Sequence, residues 1–229
     1  MKRIASDSFP FIEDITHSLV SKYGRPTLGN KKNPFNELIY IILSTRTDEE
    51  KYQLTYTSLR KKFKSSQSLL RADPEEISRA INIGGLQHKK AEALSKIVKL
   101  LKNKYLRVTL APLKSLETQN AEEFLRSLPG VSVKTARCVL LYSLNRAVFP
   151  VDTHCFRIMK RIGWINKNEK LTNNIANRIH DNIPEHLRRD LHVGLVVLGR
   201  KICNPYNPQC SYCPISDYCS RIGVVKAVT

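Results

Sequence analysis

From Glu37 to Leu43 the chain is almost wholly apolar, whereas between Ala91 and Tyr105 the apolar residues Ala91, Leu94, Ile97, Val98 and Leu101 recur with polar side chains between them. The first pattern predicts a buried helix and the second an amphipathic one that turns one stripe to the core. Ala121, Phe124, Leu125 and Leu128 mark the face of another short helix, and Ala136, Val139, Leu140 and Leu144 that of the next. Pro150 is expected to end that helix, and Asp152 or Thr153 to cap the following segment, Cys155 to Ile162. A helical stretch from Ile175 to Ile183 follows, and Pro184 introduces a last one extending toward Arg200. Long alternating strands are scarce, and there is neither a low-complexity tract nor a repeat at solenoid spacing. The expected fold class is all-α.

The 229 residues allow one large domain or two modest ones, with no need of disulfides to hold a core. Thirty-eight Lys and Arg against 20 Asp and Glu give a net charge of +18, spread among apolar segments, which points to a long polyanion as partner. Polar Ser6, Asp7 and Ser8 interrupt any apolar run near the start, so secretion is not expected. The aliphatic stretches Phe35 to Leu43 and Leu191 to Leu198 are far shorter than a membrane-spanning helix requires. Four of the six cysteines crowd between Cys203 and Cys219 while Cys138 and Cys155 stand apart, which fits a reduced intracellular protein better than a disulfide framework.

Those four carry the most specific signal. Cys203, Cys210, Cys213 and Cys219, with six, two and five residues between them, can wrap one metal centre. Four thiolates suit structural zinc or an iron-sulfur cubane equally, and ligand softness does not separate the two. A second constellation is Leu128-Pro129-Gly130-Val131-Ser132-Val133-Lys134-Thr135-Ala136, a tight turn between two helical patterns. It reads either as an ordinary helix connection or as a cradle of backbone N–H groups for a phosphate, and the positive charge favours the second. Lys134 enters the following helix at its N-terminal end, where the helix field and partial burial favour the uncharged amine, a nucleophile for a sugar carbon. Asp152, in Val151-Asp152-Thr153-His154, reads either as a helix cap alone or as a cap that also presents a carboxylate to a cleft. His154 reads as structural.

Taken in order, these constellations resemble the endonuclease III branch of the helix-hairpin-helix DNA glycosylase superfamily. The resemblance extends over most of the chain, through Leu43-Ser44-Thr45-Arg46-Thr47, Gly85-Leu86 with Lys90-Ala91, the hairpin, the aspartate segment and the cysteines. It implies a two-domain fold, with residues 26–146 as a six-helix module bearing the hairpin, and 1–25 joined to 147–229 as the iron-sulfur module. It further implies Lys134 as amine nucleophile and Asp152 as catalytic carboxylate in a cleft between modules, and Cys203, Cys210, Cys213 and Cys219 as ligands of a [4Fe-4S] cluster, ranking that cluster above zinc. Arg46, Leu86, Gln87, His88, Lys90, Gly130, Ser132 and Lys134 become the candidate DNA contacts, with Arg46 and Leu86 probing or filling the space left by an extruded base.

The chain departs from the family pattern at three places. Arg46 stands where many relatives carry glutamine, Gln87-His88 replaces a Tyr-containing segment, and Ser132 occupies a position many members give to glycine. At Ser132 a side chain is expected to cost roughly 1 kcal/mol or more if the backbone there is left-handed. The function implied is that of a bifunctional glycosylase and abasic-site β-lyase that excises oxidised pyrimidines from duplex DNA through a lysine Schiff base. The same motifs also admit a mismatch, uracil or modified-cytosine glycosylase, or a noncatalytic protein that binds damaged DNA. Double-stranded DNA with a modified base or abasic site is the expected partner, and a monomer the expected state.

Overall fold

The computed structural model describes residues 9–224, and among these there are helices and turns but no strand. Eleven α-helices follow in order: α1 Ile12–Tyr23, α2 Pro34–Ser44, α3 Glu49–Lys62, α4 Ser66–Arg71, α5 Pro74–Ala80, α6 Gln87–Tyr105, α7 Thr118–Ser127, α8 Val133–Ser143, α9 Thr153–Ile162, α10 Asn173–Asp181 and α11 Arg188–Lys201. The chain divides into two compact units. One is contiguous, Gly29–Arg146; the other joins the described residues up to Leu28 to those from Ala147 onward.

In the contiguous unit, α2 starts where Asn33 accepts hydrogen bonds from the backbone N–H groups of Phe35 and Asn36, with Pro34 at the first helical position. Its residues Phe35 and Glu37 through Leu43 are all buried, against α3, α6 and α8. Each buried Leu or Ile contributes about 1.5–3 kcal/mol relative to its exposed state. The amphipathic stripe of α6 is the expected one, with Ala91, Leu94, Ile97, Val98 and Leu101 all buried. In α7, Ala121 and Leu125 are buried, while Phe124 packs edge-on against Tyr105.

The unit carries α2 to α8, and Asp73 caps α5 at Pro74 through a reciprocal bond with Glu76. One helix boundary differs from expectation. Pro150 does not end α8. That helix stops at Ser143, leaving Leu144 as its cap, and the chain turns at Asn145, whose φ is 53°.

The other unit packs α1 on α11 and α11 on α9. A Cβ on Gly194 of α11 would sit 2.7 Å from the Leu19 Cβ of α1, so only glycine lets the two helices approach this closely. Arg25 grips Asp190 with two guanidinium nitrogens at 2.8–3.1 Å. The segment ahead of α9 is buried in the same unit. Phe149 is fully enclosed, its N–H donates to His180 Nδ1 at 3.1 Å, and Arg188 holds the Ala147 carbonyl at 2.7 Å. No helix of the described residues is long and apolar enough to cross a membrane.

Candidate functional site

Within the contiguous unit, α7 and α8 form a hairpin through Leu128–Ser132. Val131 N–H donates to the Leu128 carbonyl at 3.2 Å, and Gly130 takes φ 74°, the left-handed turn that glycine adopts without strain. An added Cβ there would meet the Ala93 Cβ of α6 at 3.2 Å. The two helices are tied by Arg137, whose Nε donates to Glu122 at 3.1 Å with both side chains largely buried.

Ser132 corrects the sequence expectation. Its φ is −84° and its ψ 169°, ordinary extended backbone, so no left-handed cost arises. Its hydroxyl instead accepts the Thr135 N–H at 3.2 Å and caps α8. Lys134 is the second residue of that helix, half-buried, and the first turn holds no acidic side chain.

The Arg46 and Leu86 loops come together in this same unit. Arg46 (φ 51°) and Leu86 (φ 62°) are exposed, non-glycine residues held left-handed, and an added Cβ on Gly85 would lie 3.8 Å from the Arg46 carbonyl. Left-handed backbone costs roughly 1–2 kcal/mol per such residue, and strain of this kind concentrates at binding loops. Gln87 opens α6 half-buried, and exposed His88 faces Ser78 Oγ at 3.3 Å through Nδ1.

Lys90 is the correction here. It is 6% exposed, and its ammonium donates inward to the Leu43 carbonyl and to Thr47 Oγ1, each at 2.8 Å. Burial pulls it down to about 8. This lysine pins the Arg46 loop to α6 and does not present its charge at the surface.

Sequence reasoning also passed over Glu37. It is fully buried in α2, where Asn30 Nδ2 at 2.5 Å and the Lys31 N–H at 2.6 Å donate to its two oxygens. Burial pushes it up to about 7, while these bonds and the charges of Lys31 and Lys134 pull the other way. The signal was present as a carboxylate in an otherwise apolar run.

In the discontinuous unit, Asp152 caps α9, its Oδ1 accepting the Cys155 N–H at 2.8 Å. His154 is held below the usual imidazole range by burial, and Gly199 leaves it room, since a Cβ there would lie 2.7 Å from His154 Nδ1. Arg157 donates to the carbonyls of Gly199 and Cys203 at 2.9–3.1 Å, and Arg161 to Cys203 Sγ at 3.1 Å. One helical turn thus presents two arginines to the cysteine loop, an i, i+4 spacing legible in the sequence.

Cys203, Cys210, Cys213 and Cys219 line a single pocket together with Ile158, Arg161 and no His or carboxylate side chain. Burial and the neighbouring thiols push Cys213 up to about 11. Burial raises Tyr23 of α1 to about 12, with Cys213 and Cys203 adding to the rise, and among the described residues its buried oxygen has no hydrogen-bond partner. Among the described residues, no three His, Cys, Asp or Glu side chains stand at the spacing that grips one ion. The chemistry of this donor set, four sulfurs lining one pocket, fits an iron-sulfur cluster, which takes one thiolate at each of four irons.

Residues 39–184 match the family model described as HhH-GPD superfamily base excision DNA repair protein. Endonuclease III of Thermotoga maritima is 31% identical over 209 residues, covering 91% of this chain and 92% of that one. The DNA glycosylase/AP lyase ROS1 of Arabidopsis thaliana is 27% identical over 169 residues, 66% of this chain and 12% of its own length. Among solved structures, a non-covalent endonuclease III–DNA complex superposes with TM-score 0.79 at 24% identity, covering 92% of this chain and 94% of the other, a likeness of fold.

Proposed function

The chain belongs to the HhH-GPD superfamily of base excision DNA repair proteins, and from its DNA glycosylase and abasic-site lyase activity we propose a specific chemistry, the excision of oxidised pyrimidines from duplex DNA through a Schiff base on Lys134. The observation that carries this reading is the placement of Lys134 directly behind the Gly130 turn, half-buried at a helix start without acidic neighbours in that turn. The hairpin amides and the start of α8 hold a phosphate, and Arg46 and Leu86 probe the duplex on their strained loops.

The Lys134 amine forms a bond to C1′ as the glycosidic bond breaks, and the base leaves with the bonding electrons and takes up a proton. Asp152 stabilises positive charge developing on the sugar and accepts a proton from the amine. Opening of the sugar ring gives the Schiff base. Loss of a C2′ proton then expels the 3′ phosphate by β-elimination, and water releases the enzyme. Cys203, Cys210, Cys213 and Cys219 are the residues that would hold a [4Fe-4S] cluster, whose contribution is to staple the loop after α11.

A panel of defined duplexes tests the reading: oxidised pyrimidines, uracil, mismatched thymine, methylcytosine, oxidised purines and a plain abasic site, with base release and strand nicking measured separately. Release of oxidised pyrimidines with nicking is expected, together with a borohydride-trapped adduct that Lys134→Ala abolishes. Undiminished trapping in Lys134→Ala overturns the nucleophile, and preferential release of mismatched thymine or methylcytosine overturns the substrate class.

A further inference from the structure

Arg161 lies nine residues beyond Asp152 on α9 and is 7% exposed. Its Nη1 donates to Cys203 Sγ at 3.1 Å and to the Asn204 carbonyl at 2.7 Å, and its Nη2 donates to the Pro205 carbonyl at 2.8 Å. Its own backbone carbonyl receives the other end of the loop, Cys219 Sγ at 3.4 Å and the Ile222 N–H at 3.1 Å. One residue therefore touches both the first and the last of the four cysteines. A guanidinium taken out of water is costly unless its N–H groups are answered, and the acceptors around Arg161 are two carbonyls and the Cys203 sulfur.

We propose that Arg161 is the positioning residue of the four-cysteine loop, orienting Cys203 Sγ with its side chain and anchoring the far end of the loop through the Ile222 N–H on its backbone carbonyl. The inference rests on the reading of those cysteines as ligands of a [4Fe-4S] cluster. Only a planar fork reaches all three acceptors at once. A lysine keeps the charge but offers a single point of attachment, and a glutamine keeps a donor but neither charge nor reach. Hydrogen bonds and positive charge at a ligand sulfur also stabilise the reduced cluster and raise its reduction potential.

The test uses the full chain as purified, in wild-type, Arg161→Lys and Arg161→Gln forms. Iron and acid-labile sulfide are quantified, bleaching of the visible absorbance is followed under excess chelator, the reduction potential is recorded, and far-ultraviolet circular dichroism checks the helices. Arg161→Gln is expected to bleach roughly tenfold or more faster than wild type, in line with the usual effect of losing such a partner. Its potential is expected to be more negative, a shift that loss of packing alone would not produce. Arg161→Lys is expected to fall between the two and restore part of the potential. Wild-type bleaching and potential in both variants overturn the inference; if Arg161→Gln does not fold, the same result in Arg161→Lys suffices. Wild-type protein without iron and sulfide overturns the cluster reading itself, an outcome distinct from a cluster that is present and indifferent to residue 161.

Discussion

Asp152 Oδ1 accepts the backbone N–H of Cys155 at 2.8 Å, so the carboxylate proposed to act on the sugar is also the cap of α9. The two roles separate by substitution. Asp152→Asn keeps an acceptor oxygen at the cap and should unfold within about 0.5 kcal/mol of wild type, while single-turnover base release falls steeply. Asp152→Ala should lose activity and about 1 kcal/mol of stability besides. Wild-type base release in Asp152→Asn would remove the residue from the reaction.

Ser132 is a cap on extended backbone, so glycine gains nothing there. Ser132→Ala should destabilise by about 1 kcal/mol and Ser132→Gly by only a few tenths, both read from urea midpoints. A stabilising Ser132→Gly would show that the backbone at this position is strained after all.

Glu37 makes the contiguous unit sensitive to pH. Its folded pKa of about 7 lies above the ordinary 4.5, so between those values the folded chain holds a proton that the unfolded chain has lost. Stability from this group is therefore complete below pH 4.5 and declines as pH rises through 7, by up to roughly 3 kcal/mol. The groups facing it are Lys31, Lys134, Tyr40 and Tyr56. Urea midpoints taken from pH 4.5 to 8 should show a wild-type decline that Glu37→Gln flattens, and parallel profiles would contradict this.

The Arg137–Glu122 pair joins α7 to α8 at 3.1 Å with side-chain exposures of 6% and 14%. Glu122→Ala takes the carboxylate away from a buried guanidinium and should cost roughly 3 kcal/mol. The exposed pair Lys96–Glu92, at 3.9 Å, is the control, and Glu92→Ala should change little. Equal effects of the two substitutions in thermal unfolding would refute the distinction.

The stripes of α6 and α7 were legible because apolar spacing alone fixes which side of a helix meets the core. The Gly130 turn and the four cysteines were legible because few other residue types serve those geometries. Lys90 was not, since sequence counts it among 38 basic residues and cannot tell an ammonium turned inward to Leu43 and Thr47 from one in solvent. Ser132 was misjudged for a related reason: comparison with a glycine suggested a left-handed backbone that the chain places two residues earlier, at Gly130. The halt of α8 at Ser143 owes more to local chain reversal at Asn145 than to Pro150, because a proline constrains its immediate predecessor and not a helix seven residues away.

The close seat of Leu19 on Gly194 sets an order of events at the ribosome. The segment from Gly29 to Arg146 has all its internal partners once it has emerged, whereas α1 must wait, its apolar stripe uncovered, until α11 is made. At about 5–20 residues per second that wait is on the order of ten seconds or more. During it the nascent chain carries a finished body and a sticky leading helix, the interval in which a chaperone would have the most to protect.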